Sequence, residues 1–285
     1  MIETALRERA PGGMAYDIIG DAGPYLLAVH GGPGMDHVSF RPWLDFLAER
    51  VRLVYLDLPG HGQSAPPADY SLGAMADALD ELRAHLGVEH VLALGASYGG
   101  FVSLVYALRH PRRVAGLLLV DTAPSYGFRA ESLDVARRRG TPEMLAALDR
   151  LWNDALSSDA DFRRDWTTIL PLYFHSAPLE EIRRLAGATT YRLATRKAVL
   201  PTFREYDVRE RLAEISAPAL VVVGRHDWIT SVGQAEALAS GLPNARLVVF
   251  EQSGHMPFVD EPEEFRRVVS DWLGARTPAG AGGSR

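Results

Sequence analysis

Short apolar runs alternate along the chain with longer stretches in which apolar residues recur every three or four positions. The runs "YLLAVH" (25–30), "VRLVYLD" (51–57), "HVLALG" (90–95), "AGLLLVD" (115–121), "ALVVVG" (219–224) and "RLVVFE" (246–251) are too short for buried helices and rich in valine and leucine, so they predict strands. Most are apolar at consecutive positions, as expected of strands covered on both faces. Between them, 71–86, 98–110, 231–241 and 261–273 carry helical periodicity. Strands alternating with helices predict an α/β architecture around a mostly parallel sheet. "MAYDIIG" (14–20) adds an antiparallel edge strand to this expectation.

The alternation breaks once. From 124 to 203 no strand pattern occurs, only helical stretches such as 142–156 and 160–172, rich in Arg, Leu, Trp and Tyr. A segment of that length is no ordinary loop. The expected organisation is a core of 1–123 and 204–275, a helical cap of 124–203 over the sheet, and a Gly/Ala/Ser-rich disordered tail of 276–285.

Residues 91–108 form eighteen positions without a charge, the length of a membrane span. Glycines interrupt the run at its centre, however, and a buried strand–turn–helix gives the same hydropathy. That turn reads "GASYGG" (95–100). A Gly-x-Ser-x-Gly placed between a strand and a helix is the pattern of a nucleophile elbow, which projects the serine hydroxyl from a sharp turn. Ser97 is therefore the candidate nucleophile.

Composition narrows the chemistry around it. The 285 residues are 47% hydrophobic and 23% charged, ordinary for a globular protein. A net charge of −6 and the lack of basic runs argue against nucleic acid or an anionic membrane as partner. There are no cysteines, so disulfides, thiolate nucleophiles and cysteine metal sites are excluded. The first residues, "MIETALRERAPGG", are not a secretory signal, and a cytoplasmic location is expected. Neither H-E-x-x-H nor G-x-G-x-x-G occurs, so no metal and no cofactor are expected.

A serine hydroxyl needs a base to take its proton. "FEQSGHMPF" puts His255 in a loop directly after the last strand, and "VVVGRHDW" puts Asp227 just past the preceding one. The order Ser97, Asp227, His255 suits a nucleophile, an orienting acid and a general base on such a sheet. Asp121, at the end of "LLLVD", is the rival acid, because it too ends a central strand. For the oxyanion, "VHGGPG" (29–34) supplies glycine N–H groups after a strand. Pro33 has no N–H. Gly32 is the first choice for one donor, with Gly31 and Gly34 open, and the N–H of Tyr98 is the other. His30 is expected to hold this loop through a hydrogen bond.

Taken together, "HGGPG", "YLDLPGHGQS" (55–64), "GASYGG", "GRHD" and "SGHMPF" resemble the α/β-hydrolase fold superfamily, in its motif order, over about residues 14–275. The resemblance implies an eight-stranded, mostly parallel sheet with helices on both faces and a helical cap insertion. Within the superfamily, "HGGPG" looks like the proline iminopeptidase group, whose cap supplies acidic residues for the substrate's free amino group. Glu143, Glu180, Glu181 and Glu205 are the candidates for that role. The chain departs from the group in reading "DLPG" at 57–60, where an aspartate-glutamine-arginine-glycine run is frequent. It also reads "WND" at 152–154, where a tryptophan-glutamate pair is frequent. The expected function is a serine hydrolase cleaving a small acyl substrate or short peptide through an acyl-enzyme, releasing N-terminal residues and hydrolysing esters. A carboxylesterase or lactonase without peptidase activity is the alternative. A ligand receptor that keeps the triad, or a lyase or perhydrolase, stands behind both.

Overall fold

A computed structural model describes residues 5–153 and 155–275 of the chain; the expected disordered tail lies outside them. Eight strands form one sheet: β1 (Glu8–Arg9), β2 (Ala15–Ile19), β3 (Tyr25–Val29), β4 (Arg52–Leu56), β5 (Val91–Ala96), β6 (Val114–Val120), β7 (Ala219–Gly224) and β8 (Ala245–Phe250). Their spatial order is β1-β2-β4-β3-β5-β6-β7-β8. The six from β3 to β8 run parallel, and β2 is antiparallel to β4. This is the α/β-hydrolase arrangement that the motifs imply.

The strands form where valine and leucine cluster. Every residue of β5 and of β7 is buried. Successive strand side chains point to opposite faces, so helices must cover the sheet on both sides. The core helices α1 (Leu72–His85) and α2 (Tyr98–Arg109) pack against each other beside β5. Ser71 caps α1 by accepting a hydrogen bond from the Ala74 N–H at 3.1 Å. One expectation needs correcting: β2 is antiparallel but is not the edge. Glu8 and Arg9 pair with Tyr16 and Ala15 outside it. Both residues of β1 are exposed, and a short charged edge strand discourages pairing with another chain.

Among the described residues, five α-helices stand between β6 and β7: α3 (Phe128–Arg139), α4 (Pro142–Trp152), α5 (Asp159–Ile169), α6 (Leu179–Ala188) and α7 (Leu193–Phe203). Helix α5 ends earlier than its periodicity suggests, because a 3-10 turn (Leu170–Tyr173) containing Pro171 follows it. The two ends of this segment clasp each other. Tyr126 N–H donates to Tyr206 O at 2.9 Å, Val208 N–H to Pro124 O at 2.9 Å, and the Tyr206 hydroxyl to Ala123 O at 2.9 Å. After β7 come α8 (Val232–Gly241), α9 (Pro257–Asp260) and α10 (Pro262–Gly274). Among the described residues, no helix is long and apolar enough to cross a membrane. The uncharged run 91–108 is split between β5 and α2.

Candidate active site

The strand β5 stops at Ala96, helix α2 starts at Tyr98, and Ser97 makes the whole turn between them. Its φ of 53° and ψ of −119° lie where a non-glycine residue is strained. The surroundings hold it there. Ser97 N–H donates to Val120 O at 3.0 Å, and its carbonyl accepts from the Thr122 hydroxyl at 2.8 Å. The flanking glycines have a steric reason. A Cβ on Gly95 would lie 2.5 Å from both Gly99 O and Ser103 Oγ; one on Gly99 would overlap Val29 O and lie 2.7 Å from His30 O. The turn is this tight because neighbouring backbone occupies the space that side chains would need.

Asp227 lies just beyond β7 and His255 just beyond β8, and the parallel sheet brings both to the edge where Ser97 stands. His255 Nδ1 donates to Asp227 Oδ2 at 2.8 Å. That bond puts the imidazole proton on Nδ1 and leaves Nε2 with its lone pair. Nε2 is buried and has no hydrogen-bond partner, and His255 and Ser97 line the same cavity. The geometry suits a base that has yet to engage its nucleophile, since such bonds often tighten only with substrate present. Asp227 is fixed by its own loop: Oδ1 accepts from Ile229 N–H at 2.7 Å and Thr230 N–H at 3.2 Å, and Oδ2 from the Thr230 hydroxyl at 2.7 Å. The rival, Asp121, does not bond the histidine. Its Oδ1 accepts from Gly224 N–H at 2.9 Å.

The "HGGPG" loop runs directly against the serine, with the Cβ position of Gly31 only 3.0 Å from Ser97 Cβ. Gly32, at φ +65°, and Tyr98 both line the cavity. Tyr98 opens α2, so its N–H belongs to the first turn, which has no intrahelical acceptors. The positive end of the helix dipole falls at the same place. His30 ties the loop down as expected: Nδ1 donates to Gly31 O at 2.9 Å, and Nε2 accepts from Leu58 N–H at 3.1 Å. Behind it, His61 is fully buried with its ring on Tyr98, and burial holds its imidazole down at about 3, so it stays neutral.

The helices between β6 and β7 roof this cavity. Phe128, Trp152, Trp166, Tyr173 and Phe203 supply aromatic walls, and Arg129 and Arg196 also line it, with guanidinium groups that donate to the Tyr126 hydroxyl and to Leu151 O. Among the described residues, no Asp or Glu lines it. The four candidate glutamates lie elsewhere. Glu180 and Glu181 pair with Arg183 and Arg184 one turn along α6, and Glu143 and Glu205 are exposed and outside the lining. Glu143, Glu180 and Glu181 belong to solvated helix faces, and Glu205 to the exposed turn after α7.

Three positions matter here without an obvious sequence signal. Arg129 and Arg196 enter the cavity only because α3 and α7 fold over it. Asp260 pins the His255 loop to the roof. Its carboxylate accepts from Gly254 N–H at 2.8 Å and from the N–H groups of His175, Ser176 and Ala177 at 2.9, 2.9 and 2.8 Å. The three partners from 175 to 177 lie 83 to 85 positions away, beyond any local pattern. Thr230, also not singled out, had a local signal: Asp side chains commonly bond groups a few residues on in a turn. Among the described residues, Asp121, Asp227 and His255 bring carboxylate and ring-nitrogen atoms within 4.8 Å of one another. A cation there would have to displace the bond between Asp227 and His255.

The profile of the alpha/beta hydrolase fold matches residues 24–262. The chain is 28% identical over 260 residues to a proline iminopeptidase of Pestalotiopsis fici, covering 87% of this chain and 91% of that one. It is 32% identical over 260 residues to a pimeloyl-[acyl-carrier protein] methyl ester esterase of Aeromonas hydrophila, covering 88% and 96%. Among solved structures, an esterase from Exiguobacterium antarcticum superposes with a TM-score of 0.78 at 24% identity, over 93% of this chain and 98% of that one.

Proposed function

The chain belongs to the α/β-hydrolase fold family, and from that premise we propose that it is a serine hydrolase acting on a carboxylic ester with an apolar acyl group. Ser97 Oγ attacks the ester carbonyl while His255 Nε2 takes its proton. Asp227 holds the imidazole in the tautomer that leaves Nε2 free and stabilises the imidazolium once formed. The N–H groups of Gly32 and Tyr98 receive the oxyanion; losing one such donor costs about 3–4 kcal/mol in comparable enzymes. The alcohol then leaves with the proton from His255, and the acyl group stays on Ser97. Water attacks that ester, giving its proton to His255, and the acid departs as Ser97 recovers its hydrogen.

The observation that carries the ester reading is the lining of the cavity: aromatic walls, two arginines and, among the described residues, no carboxylate. A substrate with a free N-terminus would bring an ammonium under the roof. An unpaired buried ammonium is costly, and the neighbouring arginines would repel it. The competing reading, release of an N-terminal residue, keeps support from the "HGGPG" loop and from the likeness to enzymes named proline iminopeptidase. In both readings the helices α3 to α7 act as the cap that selects the acyl group.

One preparation assayed on a short alkyl ester, a p-nitrophenyl ester and a prolyl arylamide separates them, with Ser97→Ala as control. The ester reading predicts kcat/KM on the alkyl ester at least about 100-fold above the arylamide, the scale of about 3 kcal/mol of lost pairing. Equal or faster cleavage of the arylamide would install the peptidase reading instead.

A further inference from the structure

Two carboxyl groups, not one, are buried behind the histidine. Asp121 ends β6 and Asp227 follows β7, and they are 1% and 5% exposed. Their oxygens and a His255 ring nitrogen lie within 4.8 Å of one another. Two carboxylates that close, out of water, do not both ionise, so the pair shares one negative charge. The hydrogen bonds decide where that charge sits. Asp227 accepts from four donors: two backbone N–H groups, the Thr230 hydroxyl and His255 Nδ1. Asp121 accepts from one, the Gly224 N–H on Oδ1, while its Oδ2 is buried without a donor. Donors stabilise the ionised form, so the charge belongs on Asp227 and the proton on Asp121.

We infer that Asp121 is a positioning residue, held as the un-ionised acid beside Asp227, so that the single negative charge sits on the carboxylate that orients His255. The inference rests on the proposed roles of Asp227 and His255. Were the proton on Asp227, its O–H would face Nδ1, the imidazole would turn to the other tautomer, and Nε2 would lose the lone pair that the serine needs. Asp121 thus keeps its partner anionic by taking the proton itself. Its backbone is placed for this at some expense: φ is 45°, in the left-handed region, with the N–H fixed on Val222 O at 2.9 Å. Burial first, and then the Asp227 charge, push the Asp121 carboxyl well above the usual carboxylate range. The groups bearing on it are Asp227 from the loop after β7, His255 from the loop after β8 and Asp260 from α9.

Asp121→Asn tests this, because asparagine tolerates the left-handed backbone and keeps a neutral N–H donor without titrating. A carboxyl whose folded pKa is raised contributes its stability at low pH and loses it as pH climbs toward the folded value. The difference in Tm, variant minus parent, should therefore grow in the variant's favour from about pH 4, where the unfolded acid titrates, to neutrality. The acid limb of the kcat/KM profile should stay in place, since one neutral group replaces another. A Tm difference that is flat or shrinks with pH, or an acid limb moved to lower pH, would mean that Asp121 is ionised and overturn the inference. If the variant fails to fold, infrared spectra of the parent decide. An un-ionised carboxyl C=O stretch should persist at pH 8, above the titration of Asp36, which burial raises to about 6; its absence would overturn the inference equally. An inactive Asp227→Asn alongside a flat Tm difference fails this inference alone, whereas an active Asp227→Asn fails the proposed triad.

Discussion

Replacing Asp227 by asparagine changes one atom and reverses one hydrogen bond. The amide oxygen takes the place of Oδ1 and still accepts from Ile229 and Thr230 N–H. The NH2 group takes the place of Oδ2, where the Thr230 hydroxyl and His255 Nδ1 both donate at present. The hydroxyl can rotate and accept. The imidazole can face an N–H donor only through a bare Nδ1, which moves its proton to Nε2, toward the cavity it shares with Ser97. A base already carrying its proton cannot take another. In serine proteases the same exchange costs about 10⁴ in kcat, or about 5.5 kcal/mol, and a loss of that order is expected here. The assay is single-turnover acylation with a p-nitrophenyl ester, run beside the melting curve of the same preparation. Asp121→Asn serves as the comparison and should lose far less. If Asp227→Asn keeps a tenth of parental activity while Asp121→Asn does not, the orienting acid sits at the end of β6 and the reasoning fails.

Gly99→Ala should be among the most damaging single-methyl changes, because its Cβ meets the Val29 and His30 carbonyls, which are backbone and cannot swing away. Overpacking of this kind costs about 1–3 kcal/mol or more, and an unchanged Tm would show that the elbow has room. Neutralising Glu143, Glu180, Glu181 and Glu205 to glutamine, singly, should leave the ratio of arylamide to ester cleavage within about twofold, as expected of surface groups that do not touch substrate. A selective rise in KM for the arylamide at any of them would reinstate that residue as an amine ligand.

What could be read from the sequence divides along a physical line. The sheet was legible because its strands are buried on both faces and announce themselves as unbroken apolar runs. The candidate serine, acid and histidine could be singled out because each lies within a few residues of a strand end, where a parallel sheet gathers its loops on one edge. The preference for Asp227 over Asp121 rested on "GRHD", which places the carboxylate just beyond its strand. The roof was not legible. Helical periodicity says which face of α4 or α6 is buried, but not against what. The glutamates singled out there lie outside the cavity lining, while Arg129 and Arg196 reach it through helix packing that no local pattern encodes. The edge was misread for a similar reason: two charged residues, Glu8 and Arg9, carry no strand signal of their own and pair only because β2 is beside them.

The proposed chemistry stands on Ser97 as the nucleophile. Incubation with a fluorophosphonate, followed by mass analysis of the digested protein, reads this directly. One adduct is expected, on the peptide containing Ser97, with loss of ester hydrolysis in step with labelling. No adduct and no turnover are expected in Ser97→Ala at an unchanged Tm. An adduct on another residue, or turnover surviving in folded Ser97→Ala, would contradict that role for Ser97.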